Sequence, residues 1–144
     1  MEGKSSAIKD EWSVFEGHHN GKPLLVRLNT GVAHIAGNRL YVFRIGIAVP
    51  LKHPQENGLP TPEENLYFKD IEDEIHAYFE KEQRGFVCAI ISTSGMKEFM
   101  MYGKSENVQD LIGILKTKFS AYDFQNYVKR DENWEGYKNL NKPQ

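Results

Sequence analysis

Residues 39–49 read Arg39-Leu40-Tyr41-Val42-Phe43-Arg44-Ile45-Gly46-Ile47-Ala48-Val49. Tyr41, Phe43, Ile45, Ile47 and Val49 fall on one side of an extended chain, and Leu40, Val42, Arg44, Gly46 and Ala48 on the other. A period of two sustained this long predicts a β-strand, and the apolar content of both sides predicts that each face is at least partly covered. The rest of the chain is read outward from this strand.

Upstream, Glu11–Glu16 and Pro23–Asn29 are short apolar stretches flanking Gly17-His18-His19-Asn20-Gly21, whose glycines and asparagine suit a tight reversal. They predict a hairpin. Downstream, 50–60 reads as a loop from its Pro, His and Asn-Gly content. Thr61 then stands as a helix N-cap with Pro62 in the first turn and Glu64 where a capping-box carboxylate belongs. Leu66, Tyr67, Ile71, Ile75, Tyr78 and Phe79 recur at helical spacing, with acidic residues on the remaining face, and Gly85 is expected to close this helix.

Phe86–Thr93 and Met96–Tyr102 predict two strands joined across Ser94-Gly95. Ser105 is the expected cap of a second helix carrying Val108, Leu111, Ile112, Leu115 and Phe119 inward. Tyr122–Arg130 predicts a last strand, and Trp134–Leu140 a short helical turn before Pro143. From Arg39 onward the order is that of a ferredoxin-like split β-α-β unit. The expected fold is therefore α+β: a ferredoxin-like antiparallel sheet with two helices on one face, preceded by an additional N-terminal β-hairpin. Its second face would be open unless a terminus or a partner covers it.

With 144 residues, 40 % hydrophobic and 26 % charged, the chain is expected to form a single domain over 1–144, with 1–10 as a flexible N-terminus. A domain of this size buries roughly 68 % of its unfolded surface, so no metal or disulfide is needed to complete the core. A net charge of −2 disfavours nucleic acid as a partner, since that binding requires clustered Lys and Arg. The single Cys88, an N-terminus without an apolar leader and the lack of a membrane-length apolar run predict a cytoplasmic protein that does not enter a membrane.

Chemistry-bearing patterns are sparse. Cys88 lies mid-strand between Val87 and Ala89 and reads as a buried apolar side chain. Asp73-x-x-His76 and Glu72-x-x-x-His76 share a helical face, but a carboxylate-bridged metal centre needs the motif twice and the second helix has no histidine. Neither a phosphate-cradling glycine loop nor a nucleophile elbow is present. No catalytic, cofactor-binding or metal-ligating residue is assigned, and no cofactor is expected. Arg27 and Arg44 stand out because each interrupts an apolar strand and requires a partner or an open face.

Pro50-Leu51-Lys52, Gly58-Leu59-Pro60-Thr61-Pro62-Glu63-Glu64, Gly95-x-x-Glu98-Phe99-x-x-Tyr102 and Trp134-x-x-Tyr137-x-x-Leu140, with Trp12 near the first strand, resemble the bacterial domain-of-unknown-function family numbered 695. The likeness runs from about Glu11 to Pro143. It implies no activity, substrate or cofactor. In some bacterial proteins a similar domain precedes one of the regulator-of-ribonuclease-E-activity B type, which implies a protein-binding or regulatory role by association.

Two functions remain open at this point. The leading expectation is a non-enzymatic protein-interaction or regulatory domain whose partner is another protein; the alternative is a small-molecule-binding protein or enzyme with a pocket between loops and sheet. Trp12, Arg27, Arg44, Trp134 and Tyr137 are the candidate interaction or pocket residues for either. The sequence is silent on the oligomeric state.

Overall fold

The computed structural model describes residues 10–141; positions 1–9 of the segment 1–10 expected to be flexible, and Pro143, lie outside them. Six strands form one antiparallel sheet in the order β1-β2-β4-β5-β3-β6. They are β1 (Trp12–His19), β2 (Lys22–Asn29), β3 (Phe43–Pro50), β4 (Gly85–Thr93), β5 (Met96–Gly103) and β6 (Gln125–Arg130). Helices α1 (Pro62–Glu80), α2 (Gln109–Lys118) and α3 (Glu135–Leu140) join a 3-10 segment at Thr30–Ile35 and a shorter one at Lys81–Gln83. No helix among the described residues is long and apolar enough to cross a membrane.

Two of the turns follow from backbone chemistry. Asn20-Gly21 joins β1 to β2 and Ser94-Gly95 joins β4 to β5, with all four residues at positive φ. That geometry matches strand twist and is tolerated best by Asn and Gly. The first turn is tighter than the expected 17–21 reversal, so His18 and His19 belong to β1.

Strand alternation divides the interior in two. Ile45, Ile47 and Val49 of β3 and Phe99 and Met101 of β5 face α1 and α2, packing with Phe68, Ile71, Ile75, Phe79, Leu111, Ile112 and Leu115. Val26 and Leu28, Ala89, and Met100 and Tyr102 face the other way and pack with Val32, Tyr41, Trp134 and Tyr137. The second face is thus covered at one end by the chain itself, through the 30–41 connection and α3. Towards the other end Phe15, Leu24, Ile91 and Ala48 are only half-buried.

Several local expectations are corrected. Tyr41 precedes β3 and packs edge-on against Phe86 in the second cluster, away from Ile45 and Ile47. On α1 it is Phe68 that enters the core, while Leu66 and Tyr67 are 72 % and 49 % exposed. Thr61 caps α1 by accepting from the Glu64 amide, but the Glu64 carboxylate does not close a capping box. It accepts from the amides of Lys52 and His53 and from the Tyr122 hydroxyl, pinning the 50–60 loop to the helix start. Burial alone would raise its pKa; these donors outweigh that and hold it below the usual value. Ser105 does not cap α2, which starts after Val108 with the Asn107 side chain accepting from Gln109 N. Gly85 opens β4 instead of closing α1.

The short α3 is fastened by side chains. Trp134 stacks on Tyr102 at 4.1 Å with an 11° interplanar angle and donates to the Tyr41 carbonyl. The Tyr137 hydroxyl donates to Asn29 O, and Asp131 accepts from the Glu135 and Gly136 amides and from the Tyr102 hydroxyl. Because the second cluster is built around this indole, Trp134→Ala is expected to lower the unfolding free energy by roughly 3–5 kcal/mol, measured by urea denaturation.

Candidate functional site

The first half of α1 spans the junction of β2, β4 and β5 and leaves a cleft of about 510 Å³ beneath it. Leu25 and Arg27 enter from β2, Ile90 and Ser92 from β4, Lys97 from β5, and Asn65, Phe68, Lys69, Glu72 and Asp73 from α1. Strand parity supplies the polar groups. Leu25 and Arg27 alternate with the buried Val26 and Leu28, and Lys97 shares the helix-facing side of β5 with Phe99 and Met101.

Arg27 donates two hydrogen bonds to Glu72, at 2.9 and 3.1 Å, a fork-to-carboxylate geometry that fixes both side chains. Its guanidinium also lies 5.1 Å from the Trp12 ring centroid, and Trp12 meets His76 edge-on at 6.0 Å. His76 Nε2 stands 3.6 Å from Glu72, while Asp73 lies 3.8 Å from Lys69 instead of beside the histidine. Burial would raise the Glu72 pKa, but His76 and Arg27 together bring it down to about 2.

Lys97 is 5 % exposed. Its ammonium makes one hydrogen bond, to Asn65 Oδ1 at 2.6 Å, and lies 5.4 Å from the Phe68 ring centroid. Among the described residues no carboxylate pairs with it. Burial, and then the neighbouring Arg27, depress its pKa from the ordinary 10.5 to about 8, against the opposing pull of Glu72 and Glu64. Of the cleft's ionic groups, Arg27 is matched by Glu72 and Lys69 by Asp73, so Lys97 carries the unmatched positive charge.

The sequence-derived candidates fall into two groups on opposite faces. Trp12 and Arg27 meet at the flank of the cleft. Arg44, Trp134 and Tyr137 lie on the other face, where Arg44 is 3.7 Å from Asp131 and 5.8 Å from the Tyr127 ring, and where Trp134 and Tyr137 are buried in the α3 anchor. Among the described residues, Nε of Arg44 is buried without a partner. Cys88 is fully buried beside a bulge in β4, and burial drives its thiol pKa far up, which removes it as a nucleophile. Lys97 was missed by sequence reasoning, although its position two residues before Phe99 on an alternating strand is the signal that would have found it.

A family model described as a family of unknown function (DUF695) matches residues 10–140. The chain belongs to the DUF695 family. No curated protein and no solved structure matches it. Membership attaches no activity to this DUF695 domain, so its chemistry has to be read from the cleft. The match takes in every residue that lines the cleft as well as the α3 anchor.

Glu72 and Lys97 of the cleft both make stability rise with pH in this DUF695 domain, but in separate windows and for different reasons. Glu72 has a depressed native pKa, so its contribution of roughly 2–3 kcal/mol is present above about pH 4.5 and is lost as pH falls towards 2. Glu72→Gln is expected to flatten that acid limb in urea titrations at successive pH values. Lys97 is also depressed, but here the charged form is the disfavoured one. The unfolded chain holds more protons between about pH 8 and 10.5, so stability rises with pH through that window. Lys97→Met is expected to stabilise the domain at pH 7 by about 1–3 kcal/mol, with the gain shrinking towards pH 10.5.

Proposed function

We propose that this DUF695 domain binds a small anionic ligand with an apolar body in the cleft beneath α1. Lys97 holds the negative charge, and Arg27 shapes the adjoining wall. The observation that carries this reading is the buried Lys97 ammonium, whose one hydrogen-bond partner among the described residues is a neutral amide. A buried cation without a counter-ion is destabilising, and such costs are characteristic of binding sites, where a ligand completes the pairing. Leu25, Phe68 and Ile90 supply apolar surface around it, the usual make-up of a ligand pocket with a few placed polar groups.

The reading favours the small-molecule alternative over the protein-interaction role, since α3 and the 30–41 connection already occupy part of the face a protein partner would use. On architecture, we read β3-α1-β4-β5-α2-β6 as a ferredoxin-like unit and β1-β2 as an N-terminal hairpin added to its β4 edge. The order β6-β3-β5-β4-β2-β1 and the shared packing of α1 and α2 support that reading. The added ribbon is what brings Arg27 and Trp12 alongside α1. A cytoplasmic setting belongs to the same reading, with the lone shielded cysteine as its support.

The test is an amide-resolved NMR titration of the full chain with 4-methylpentanoate and, in parallel, with its neutral amide. The carboxylate is expected to shift Arg27, Ser92 and Lys97 and to lose that effect in Lys97→Met, while the amide shifts none of them. Equal shifts from both compounds, or shifts that survive Lys97→Met, would remove the assignment.

A further inference from the structure

An amine attacks a carbonyl carbon only as the free base, so a reactive lysine needs surroundings that disfavour its ammonium form. Two devices achieve this: removal from water and a second cation nearby. Lys97 has both. It is buried beside Phe68 and Ile90, and Arg27 opens onto the same cleft. Its one hydrogen-bond acceptor among the described residues, the neutral Asn65 Oδ1, can accept a hydrogen bond from an NH2 group as well as from an NH3+ group, so the contact does not demand the charged state. The charged groups around it are Arg27 on β2 and Glu64, Lys69, Glu72 and Asp73 on α1. Glu72 and Asp73 are committed to Arg27 and Lys69, and Glu64 to the loop amides and Tyr122.

We propose that Lys97 captures a small anionic aldehyde or ketone, such as a 2-oxo acid with an apolar side chain, as a reversible imine. This rests on the anion-binding reading of the cleft and names the ligand class within it. The Nζ lone pair adds to the carbonyl carbon while the C=O π pair moves to oxygen, which takes up a proton. The resulting carbinolamine expels that oxygen as water as the C=N bond forms. One amine and one carbonyl give one imine and one water, with no oxidant or reductant involved. The protonated imine keeps the positive charge that the ammonium carried, so the ligand's anionic group stays balanced. A pKa near 8 leaves on the order of a hundredfold more free amine at neutral pH than an ordinary lysine provides.

The experiment treats the full chain with 4-methyl-2-oxopentanoate and sodium cyanoborohydride at pH 8, then digests it and maps adducts by mass spectrometry. The expected result is labelling of Lys97 at least tenfold above the exposed Lys69, abolished in Lys97→Met and reduced about tenfold in Arg27→Met, with circular dichroism showing both variants folded. Labelling spread evenly over the lysines, or sparing Lys97, overturns the proposal. The matching 2-hydroxy acid, which has the same carboxylate and tail but cannot condense, separates the two readings. If it shifts the cleft amides while the 2-oxo acid leaves no adduct, anion binding stands and imine capture fails. If neither acid perturbs the cleft, both fail.

Discussion

Docking of α1 onto the sheet is the interaction from which most of the other features derive. Phe68, Ile71, Ile75 and Phe79 lie at helical spacing and are nearly or fully buried, and each such side chain contributes roughly 1.5–3 kcal/mol of burial energy. Once that stripe is seated, the rest of the helix has little freedom. Its first turn delivers Glu64 to the loop amides of Lys52 and His53 and Asn65 to Lys97, and its flank delivers Glu72 to Arg27. A loop anchor, a buried amine and a bidentate ion pair are therefore consequences of one apolar stripe.

The opposite face is closed by different means. No long helix lies there, and the chain instead uses large aromatic side chains with their polar ends satisfied: Trp134 on the Tyr41 carbonyl, Tyr137 on the Asn29 carbonyl, Tyr102 on Asp131. Aromatics suit this task because they bury much surface at low cost in rotamer freedom and still carry a hydrogen-bonding tip. Asn29 extends the scheme, since its side chain accepts from the Glu11 and Gly31 amides and donates to Val87 O and Asp10, tying the end of β2 to β4 and to the start of the chain. Further along, where β3 carries Gly46, the Tyr127 ring of β6 lies where a side chain would otherwise project.

Sequence patterning made the elements legible and their details less so. Alternation over 39–49, the Ser94-Gly95 turn and the Thr61-Pro62 helix start each have a local physical cause; the turn and the helix start are found where their residues stand, while the strand begins only at Phe43 and the first reversal narrows from 17–21 to Asn20-Gly21. What escaped depends on contacts distant in sequence. The expected helical stripe holds at Ile71, Ile75 and Phe79 but opens with Leu66 and Tyr67 where Phe68 is the buried residue, because the amphipathic arc is wide and tertiary packing chooses its centre. Glu64 looks like a local cap, yet it is claimed by a loop eleven and twelve residues back and by Tyr122, fifty-eight residues on. For the site, Arg27 was visible as a charge in an apolar strand. Lys97 was passed over because a lysine between Met96 and Glu98 at a strand start looks exposed, although its parity with Phe99 and Met101 puts it on the helix-facing side.

The burial of Cys88 beside the bulge in β4 has a practical consequence. The sole thiol of the chain is sealed from solvent and held as the unreactive acid form. A cysteine introduced on the surface would be the one exposed thiol, so thiol-directed fluorophores or spin probes can be attached at chosen points without first deleting the native residue. Distances between the outer ribbon and α1 thereby become measurable in an otherwise natural sequence.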